Sequence, residues 1–247
     1  MRLQLSNNAL ADVAKSRALE TAHDATQNLF TPTSPLNKFS HDEMRAAVAV
    51  VTMGPMGDTI EADALVVIDL QVDYFQDPEL ARCRGSLVER CATLARAARD
   101  AGAPIVEVRT VHAPDRSTWT IDMLEDGQGM VIDGTPGAER LPELDLEPTV
   151  VVRKTRDSAF FGTDLVEHLR CVTRPAIVGV STESCVRATA SDAYAHDLRS
   201  VLVADATASV DAAEHDEVLR RLHEQYRLPV VDAAFVRFVA PGRVADR

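Results

Sequence analysis

The sequence predicts an α/β fold: a three-layer, doubly wound parallel sheet with helices on both faces. From residue 64 onward, β-rich apolar runs alternate with segments whose apolar residues recur at helical spacing. The first run, ALVVIDL at 64–70, is continuously apolar, which is typical of a strand buried on both faces. Alternating strands and helices form a parallel sheet, and right-handed crossovers then cover both of its sides.

The predicted elements follow in a regular series. A helix over SLVERCATLARAARDAG has a capping box at Ser86 and Glu89, and Gly102 marks its end. A later helix, DAAEHDEVLRRLHEQY, has a second capping box at Asp211 and Glu214. The remaining segments are strands at 104–111, 149–154, 176–180, 200–205 and 228–232, a helix from about Thr163, and a helix that contains Cys185.

Residues 1–60 do not continue this series and are predicted to form an N-terminal helical arm, followed by one domain over 61–247. Two helical patterns in the arm are separated by TPTSPLNK, whose two prolines indicate a linker. The arm either covers its own domain or docks on a neighbouring subunit, and the sequence leaves both interpretations open.

Composition and charge narrow the classes of function. The chain of 247 residues is 46% hydrophobic and 26% charged, which is ordinary for a soluble globular protein. A net charge of −12 disfavours binding to nucleic acid or anionic membranes, and small neutral or cationic molecules remain as partners. The N-terminus lacks the apolar core of a secretory signal, and no apolar run approaches the ~20 residues of a membrane helix. The sequence therefore indicates a cytoplasmic protein whose cysteines are thiols.

Three chemically reactive residues close or follow predicted strands, where open α/β sheets bind their ligands. Asp69 ends the first strand, Lys154 ends the strand at 149–154, and Cys185 follows the strand at 176–180. The structural alternatives are an aspartate that caps a turn, a solvated lysine and a cysteine that only fills space. Because an unpaired charge at the end of an apolar strand is costly, the coincidence favours one shared site.

These residue types in this arrangement predict nucleophilic catalysis. A thiol attacks only as thiolate, and its unperturbed pKa is about 8.5. Cys185 falls in the first turn of a predicted helix, where free N–H groups favour an anion, and Lys154 is expected to lower the thiol pKa further. Asp69 can accept the thiol proton and later return it to a leaving amine. The backbone N–H groups of Ser181 and Cys185 are the predicted oxyanion donors.

Five stretches carry a family resemblance: ALVVIDLQVDYF, DGTPGAERLPEL, VVRKTRDSAFFGTDLVEHLR, IVGVSTESCVRATASDAYAHDLRSVLVADATAS and AAEH. In these stretches the sequence resembles the isochorismatase-like cysteine hydrolases, which include nicotinamidases, N-carbamoylsarcosine amidases, ureidoacrylate and biuret amidohydrolases, and isochorismatases. The resemblance implies a six-stranded parallel sheet and an Asp–Lys–Cys triad at Asp69, Lys154 and Cys185. It also implies a cis peptide bond between Val180 and Ser181 and a homo-oligomer, for which the N-terminal arm indicates a dimer or a tetramer.

The sequence departs from the nicotinamidases of this family at their metal motif. Those proteins carry Asp-x-His and a further His after the second strand, whereas the segment here reads VRTVHAPDRSTW. Thr110 takes the place of the aspartate and His112 is the one histidine present, so no metal and no other cofactor are expected. His112 then either lines the substrate pocket or lies at the surface.

Three aromatic residues are further candidates for substrate contacts. Phe75 and Phe160 follow Asp69 and Lys154 closely in the sequence. Trp119 lies in the irregular segment 115–141, where it either caps a small ligand or anchors the packing of the segment.

The predicted function is a cofactor-free cysteine amidohydrolase that cleaves a small carboxamide, carbamoyl or ureido C–N bond through a thioester on Cys185. The alternative on the same fold is vinyl ether hydrolysis of the isochorismatase type, in which Asp69 acts as an acid without a covalent step. A third hypothesis is a binding protein without turnover, which needs no perturbed thiol.

Overall fold

A computed structural model of the chain describes residues 59–242. The strands are β1 (Ile60–Ala62), β2 (Ala64–Ile68), β3 (Ile105–Thr110), β4 (Val150–Lys154), β5 (Pro175–Val180), β6 (Val201–Ala208), β7 (Val230–Val231) and β8 (Val236–Phe238). The α-helices are α1 (Pro78–Asp100), α2 (Ile121–Asp126), α3 (Leu165–His168), α4 (Arg187–Ala195) and α5 (Ala212–Tyr226). Short 3-10 helices cover Val72–Gln76, Pro136–Ala138 and Ala233–Phe235, and a π-helical turn covers Thr182–Val186.

The predicted N-terminal arm falls on residues that lie outside the described part of the chain, apart from 59 and 60. Ile60, the last residue assigned to the arm, is the first residue of β1. β1 pairs with β8 in a separate two-stranded parallel sheet. No helix between residues 59 and 242 is both long and apolar enough to cross a membrane.

The main sheet has six parallel strands in the order β4-β3-β2-β5-β6-β7, which confirms the predicted α/β architecture. From β2 the chain adds strands on one side through β3 and β4. From β5 it adds them on the other side through β6 and β7. The strand order therefore changes direction between β2 and β5, and such a switch point leaves a crevice beyond the carboxyl ends of the strands.

Two apolar cores lie on the two faces of this sheet, as the continuous apolar run of β2 predicts. Leu65 and Val67 of β2 pack on the face that is covered by α1. Val66 and Ile68 point to the opposite face, which is covered by α4 and α5. All five residues of β2 are buried.

The predicted start of the first helix was wrong. α1 begins at Pro78, because the side chain of Asp77 accepts hydrogen bonds from two N–H groups of the first turn and proline is favourable at the first helical position. Ser86 lies inside the helix instead, where its hydroxyl donates to the carbonyl of Cys83. The predicted end at Gly102 and the predicted cap at Asp211 are confirmed.

Candidate active site

The structure brings Asp69, Lys154 and Cys185 together at the carboxyl edge of the sheet. Asp69 follows β2, Lys154 is the last residue of β4, and Cys185 lies in the π-helical turn after β5. The Nζ of Lys154 is 2.8 Å from Oδ2 of Asp69 and 3.2 Å from the Sγ of Cys185. All three residues are buried, with exposed fractions of 0%, 1% and 5%. The site lies at the switch point of the sheet.

The two carboxylate oxygens of Asp69 have different surroundings. Oδ1 accepts hydrogen bonds from the backbone N–H of Thr110, at 2.8 Å, and from the Thr110 hydroxyl, at 3.0 Å. Oδ2 is buried and lies 2.8 Å from the Nζ of Lys154, and the Cys185 thiol is within hydrogen-bonding reach of the same carboxylate. Oδ2 is therefore the oxygen that remains able to accept a proton.

The Lys154 ammonium donates hydrogen bonds in three directions. Its acceptors are the Thr110 hydroxyl at 2.7 Å, the Arg156 carbonyl at 3.1 Å and the Cys185 sulfur at 3.2 Å. Burial lowers the pKa of Lys154, but the charges of Asp69 and Cys185 outweigh burial and hold this pKa above its usual value. Lys154 is therefore a fixed positive charge in the site.

Burial has the largest effect on the pKa of the Cys185 thiol. Burial raises the pKa of Cys185 and the Asp69 carboxylate raises it further, while Lys154 opposes both effects. Lys154 lowers the thiol pKa, as predicted, but burial and Asp69 outweigh it, so the pKa of Cys185 is raised overall. The physical reason is that a thiolate beside a carboxylate places two negative charges in a buried site that holds one ammonium.

The turn that carries Cys185 is held by hydrogen bonds within the turn and by a contact with α5. Its N–H groups at Val186 and Arg187 donate to the carbonyls of Ser181 and Thr182, which gives the turn its π-helical pitch. The hydroxyl of Thr182 lies 2.8 Å from the Nδ1 of His215 on α5. The peptide bond between Val180 and Ser181 is cis, as the resemblance implies.

Three polar residues of the site were missed by reasoning from the sequence: Thr110, Gln71 and Tyr74. Burial and the charges of Asp69 and Cys185 raise the pKa of Tyr74 well above its usual value, so its phenol stays neutral. Gln71 is buried and donates from Nε2 to the carbonyls of Thr110 and Ala138. A glutamine one residue beyond the strand ALVVIDL was a detectable signal, because amide side chains are seldom buried without partners.

The candidate substrate contacts lie in different environments. Phe75 is buried in the core on the α1 face, whereas Cys185 belongs to the core on the opposite face. Phe160 is half-buried on the Cys185 side, where its ring stacks on His196 with a centroid distance of 4.9 Å. Trp119 packs over Gly129 and donates from Nε1 to the carbonyl of Ala113, at 3.2 Å, so it anchors its segment.

His112 is buried at the end of β3 and is not a surface histidine. Its Nδ1 lies 2.9 Å from the carbonyl oxygen of Thr118. Burial lowers the pKa of His112; the charges of Arg156 and Lys154 add to this effect, while the Thr118 carbonyl and Asp69 oppose it. Within the described range 59–242, no group of three His, Cys, Asp or Glu side chains is placed to hold a metal ion.

Comparison with known proteins identifies the family. A family model described as "Isochorismatase domain" matches residues 63–235. The chain belongs to the isochorismatase family of hydrolases. An Arabidopsis thaliana protein named as a probable inactive nicotinamidase is 34% identical over 165 residues, which cover 62% of this chain and 83% of that protein.

Two further relatives are named as amide-cleaving enzymes. The nicotinamidase/pyrazinamidase of Mycobacterium tuberculosis is 31% identical over 169 residues, 60% of this chain and 88% of that protein. The crystal structure of N-carbamoylsarcosine amidase from Thermoplasma acidophilum aligns with a TM-score of 0.58 at 27% identity, over 69% of this chain and 95% of that one. The family relatives of this chain are hydrolases that act on amides, although the Arabidopsis thaliana protein is named as probably inactive.

Proposed function

We propose that the protein is a cysteine amidohydrolase that cleaves a C–N bond of a small carboxamide, carbamoyl or ureido compound. The observation that carries this proposal is the buried ammonium of Lys154, which contacts both the Asp69 carboxylate and the Cys185 sulfur. A general base and a nucleophile joined through one cation form the arrangement that covalent catalysis requires. The amide-cleaving relatives support the same reaction class.

In the proposed first step, the thiol proton of Cys185 moves to Oδ2 of Asp69. The net charge of the three side chains does not change in this transfer, because one carboxylate is neutralised as one thiolate forms. Lys154 keeps its proton and stabilises whichever partner is negative. A thiol with a raised pKa therefore suits the site, since the reactive thiolate exists only while Asp69 holds the proton.

The thiolate then attacks the carbonyl carbon of the substrate, and the electron pair of the C=O bond moves to oxygen. The backbone N–H groups of Ser181 and Cys185 are the proposed donors to this oxyanion, a contact whose loss typically costs about 10²–10³-fold in rate. Asp69 gives its proton to the departing nitrogen, which leaves as ammonia or an amine, and an acyl thioester remains on Cys185. Water then attacks the thioester while Asp69 accepts a proton, and the thiol is regenerated from the departing thiolate.

Tyr74 and His112 are the proposed substrate contacts. Tyr74 lies within electrostatic reach of both Asp69 and Cys185, and its neutral phenol can donate one hydrogen bond. His112 lies within electrostatic reach of Lys154 and Asp69, and its lowered pKa favours a neutral imidazole. Phe160 and Trp119 are proposed to shape the substrate pocket at a greater distance from the triad. Phe75 is not included, because its side chain packs into the core on the α1 face.

Ammonia release from a panel of small carboxamides, N-carbamoyl compounds and ureido compounds tests the proposal. Wild type should turn over at least one compound, and Cys185→Ala should lower kcat by about 10³-fold or more, because the nucleophile is lost. Cys171→Ala is the matched control, since Cys171 is an exposed thiol outside the site and its loss should leave turnover unchanged. Failure of the wild type to release ammonia from any compound of the panel would contradict the proposal.

Wild type and Cys185→Ala also distinguish the proposed amidohydrolase from the alternative, vinyl ether hydrolysis of the isochorismatase type. Vinyl ether hydrolysis requires Asp69 as an acid but no thiol. Turnover of isochorismate that survives Cys185→Ala would therefore support the alternative and exclude the covalent route.

A further inference from the structure

Two residues of the proposed triad lie at the ends of strands that are not neighbours in the sheet. Asp69 follows β2 and Lys154 ends β4, and β3 lies between these strands in the sheet. β3 ends in Thr110, whose Cα stands opposite that of Lys154 in the β3–β4 register. On the other side of β3, the backbone N–H of Asp69 donates to the carbonyl of Val108. The residue that ends β3 therefore stands between the acid and the ammonium.

The Thr110 hydroxyl connects these two groups directly. It donates to Oδ1 of Asp69 at 3.0 Å and accepts from Nζ of Lys154 at 2.7 Å. Thr110 is 5% exposed, so water does not readily replace either bond. Together with the backbone N–H of Thr110, the hydroxyl gives Oδ1 two donors, whereas Oδ2 faces the Lys154 ammonium at 2.8 Å.

We propose that Thr110 is a positioning residue whose hydroxyl occupies Oδ1 of Asp69 and one N–H of Lys154, so that Oδ2 alone receives the Cys185 proton. The inference rests on the proposed function, in which Asp69 exchanges a proton with Cys185. The bond from the hydroxyl also stabilises the charged carboxylate, which makes Asp69 a ready donor of that proton to the leaving nitrogen. Without the hydroxyl, Oδ1 keeps the backbone N–H of Thr110 but loses its second donor, so it competes better for the proton, and Lys154 gains a free N–H.

The backbone of Thr110 is held independently of its side chain. Gln71 accepts from the Thr110 N–H through Oε1 at 2.9 Å and donates to the Thr110 carbonyl through Nε2 at 2.8 Å. Substitutions of the Thr110 side chain should therefore leave the end of β3 in place. Valine is the closest replacement in shape that removes the hydroxyl, and serine keeps the hydroxyl while it removes a methyl group.

The test compares wild type, Thr110→Val and Thr110→Ser in steady-state turnover of the best amide. Thr110→Val should lower kcat by about tenfold with KM changed less than about threefold, because the hydroxyl acts on the triad rather than on the substrate. Thr110→Ser should stay within about threefold of wild type in both constants, since it restores both hydrogen bonds.

A second measurement needs no substrate: the pH profile of iodoacetamide alkylation, read on the peptide that contains Cys185 by mass spectrometry. The rate of alkylation should fall at low pH, where the Asp69–Cys185 pair binds a second proton and no thiolate remains. This falling part of the pH profile is the acidic limb. In Thr110→Val this acidic limb should move to higher pH by about half a unit or more, because the carboxylate loses a donor that stabilises its charge. The exposed Cys171 serves as an internal control, since its profile should be the same in all three proteins.

The titratable groups that face Asp69 are Lys154 from β4, Cys185 from the π-helical turn, Tyr74 from the first 3-10 helix and His112 from the segment after β3. His112 titrates in acid, so the comparison is repeated in a His112→Asn background, where the shift caused by Thr110→Val should persist.

The outcomes separate the two proposals. An unshifted limb in Thr110→Val, or equal losses of kcat in Thr110→Val and Thr110→Ser, would overturn the role of the hydroxyl. If wild type releases ammonia from no compound but the limb shifts in Thr110→Val alone, the substrate proposal fails and the positioning role stands. A wild-type profile without an acidic limb would overturn both.

Discussion

Gly179 on β5 stands opposite Ile68 on β2, and a Cβ atom added to Gly179 would lie 2.0 Å from the carbonyl oxygen of Ile68. Gly179 also has a φ of +116°, a conformation that residues with a side chain rarely adopt. The next residues on the two strands lead into Asp69 and Cys185. β5 and β2 therefore approach each other closely at the point where the chain leads into the two reactive groups.

Gly179→Ala should destabilise the protein by about 3 kcal/mol or more, because the methyl group forces β5 away from β2 and the backbone is strained. The free energy of unfolding in urea measures this effect. Gly85→Ala in α1 is the matched control, since nothing lies within 4 Å of the added methyl group. It should stabilise the protein by about 0.5–1 kcal/mol, as alanine is the better helix former. Equal stabilities of the two variants would contradict the prediction.

Asp69→Asn should have opposite effects on the reactivity of the Cys185 thiol and on turnover. The Asp69 charge raises the pKa of Cys185, so its removal beside Lys154 should lower this pKa and speed alkylation of Cys185 by iodoacetamide at pH 8. Turnover should nevertheless fall by about 10²-fold or more, because no group remains to protonate the leaving nitrogen. Slower alkylation in the variant would contradict the charge balance that we describe.

Lys154→Met should leave the Asp69 carboxylate buried without a cation, at a cost of about 3–5 kcal/mol in the free energy of unfolding. In the double variant Asp69→Asn with Lys154→Met, no buried charge remains unpaired and part of this loss should be recovered. Arg153→Met is the control on the same strand, since its ion pair with Asp133 is exposed and its loss should cost less than about 1 kcal/mol. A double variant that is no more stable than Lys154→Met would show that the pair is not coupled.

The protein should become less stable in mild acid, in part because of His112. The folded protein lowers the pKa of His112, so between that value and about 6.5 the unfolded chain binds more protons. The stability contributed by neutral His112 is therefore fully present above about pH 6.5 and is lost as pH falls through this window. Urea unfolding at pH 7.5 and pH 5.5 should show a smaller difference in His112→Asn than in wild type.

His168→Asn provides a surface comparison for His112→Asn. His168 lies on α3 with about a third of its side chain exposed and pairs with Asp164 at the surface. Because that pair is a surface contact, the variant serves only to show how much a surface histidine contributes to the free energy of unfolding at a single pH, 7.5. A loss unchanged by His112→Asn would contradict the role assigned to the buried imidazole.

Most of the fold could be read from the sequence because its signals are local. The continuous apolar run of β2 requires burial on both faces, and the alternation of strands and helices requires parallel crossovers. The start of α1 was misplaced because two capping signals, Asp77 and Ser86, lie close together. The tertiary position of residues 78–85 allows the helix to extend back to the first of them.

The site was only partly predictable. Asp69, Lys154 and Cys185 stand out because charged and nucleophilic groups at the ends of apolar strands are unusual, and the family resemblance reinforces them. Tyr74 was missed in favour of its neighbour Phe75. Both side chains pack against the core on the α1 face, but Tyr74 carries a phenol whose pKa responds to burial and to the charges of Asp69 and Cys185. The sequence marks Thr110 as the residue in place of the metal-motif aspartate, but its contacts with Asp69 and Lys154 come from the strands on either side of it.

The sequence by itself determined the order of strands and helices along the chain and placed Asp69, Lys154 and Cys185 at or just beyond the ends of three strands, although the strands predicted at 104–111 and 200–205 end at Thr110 and Ala208. These properties follow from the periodicity and the chemistry of adjacent residues. Only the tertiary structure decided that Thr110 lies between Asp69 and Lys154, that His112 is buried and that the Cys185 thiol has a raised pKa. The physical reason is that strand register, burial and electrostatic balance depend on residues far apart in the chain, as in the bond from Lys154 to Thr110 across 44 positions.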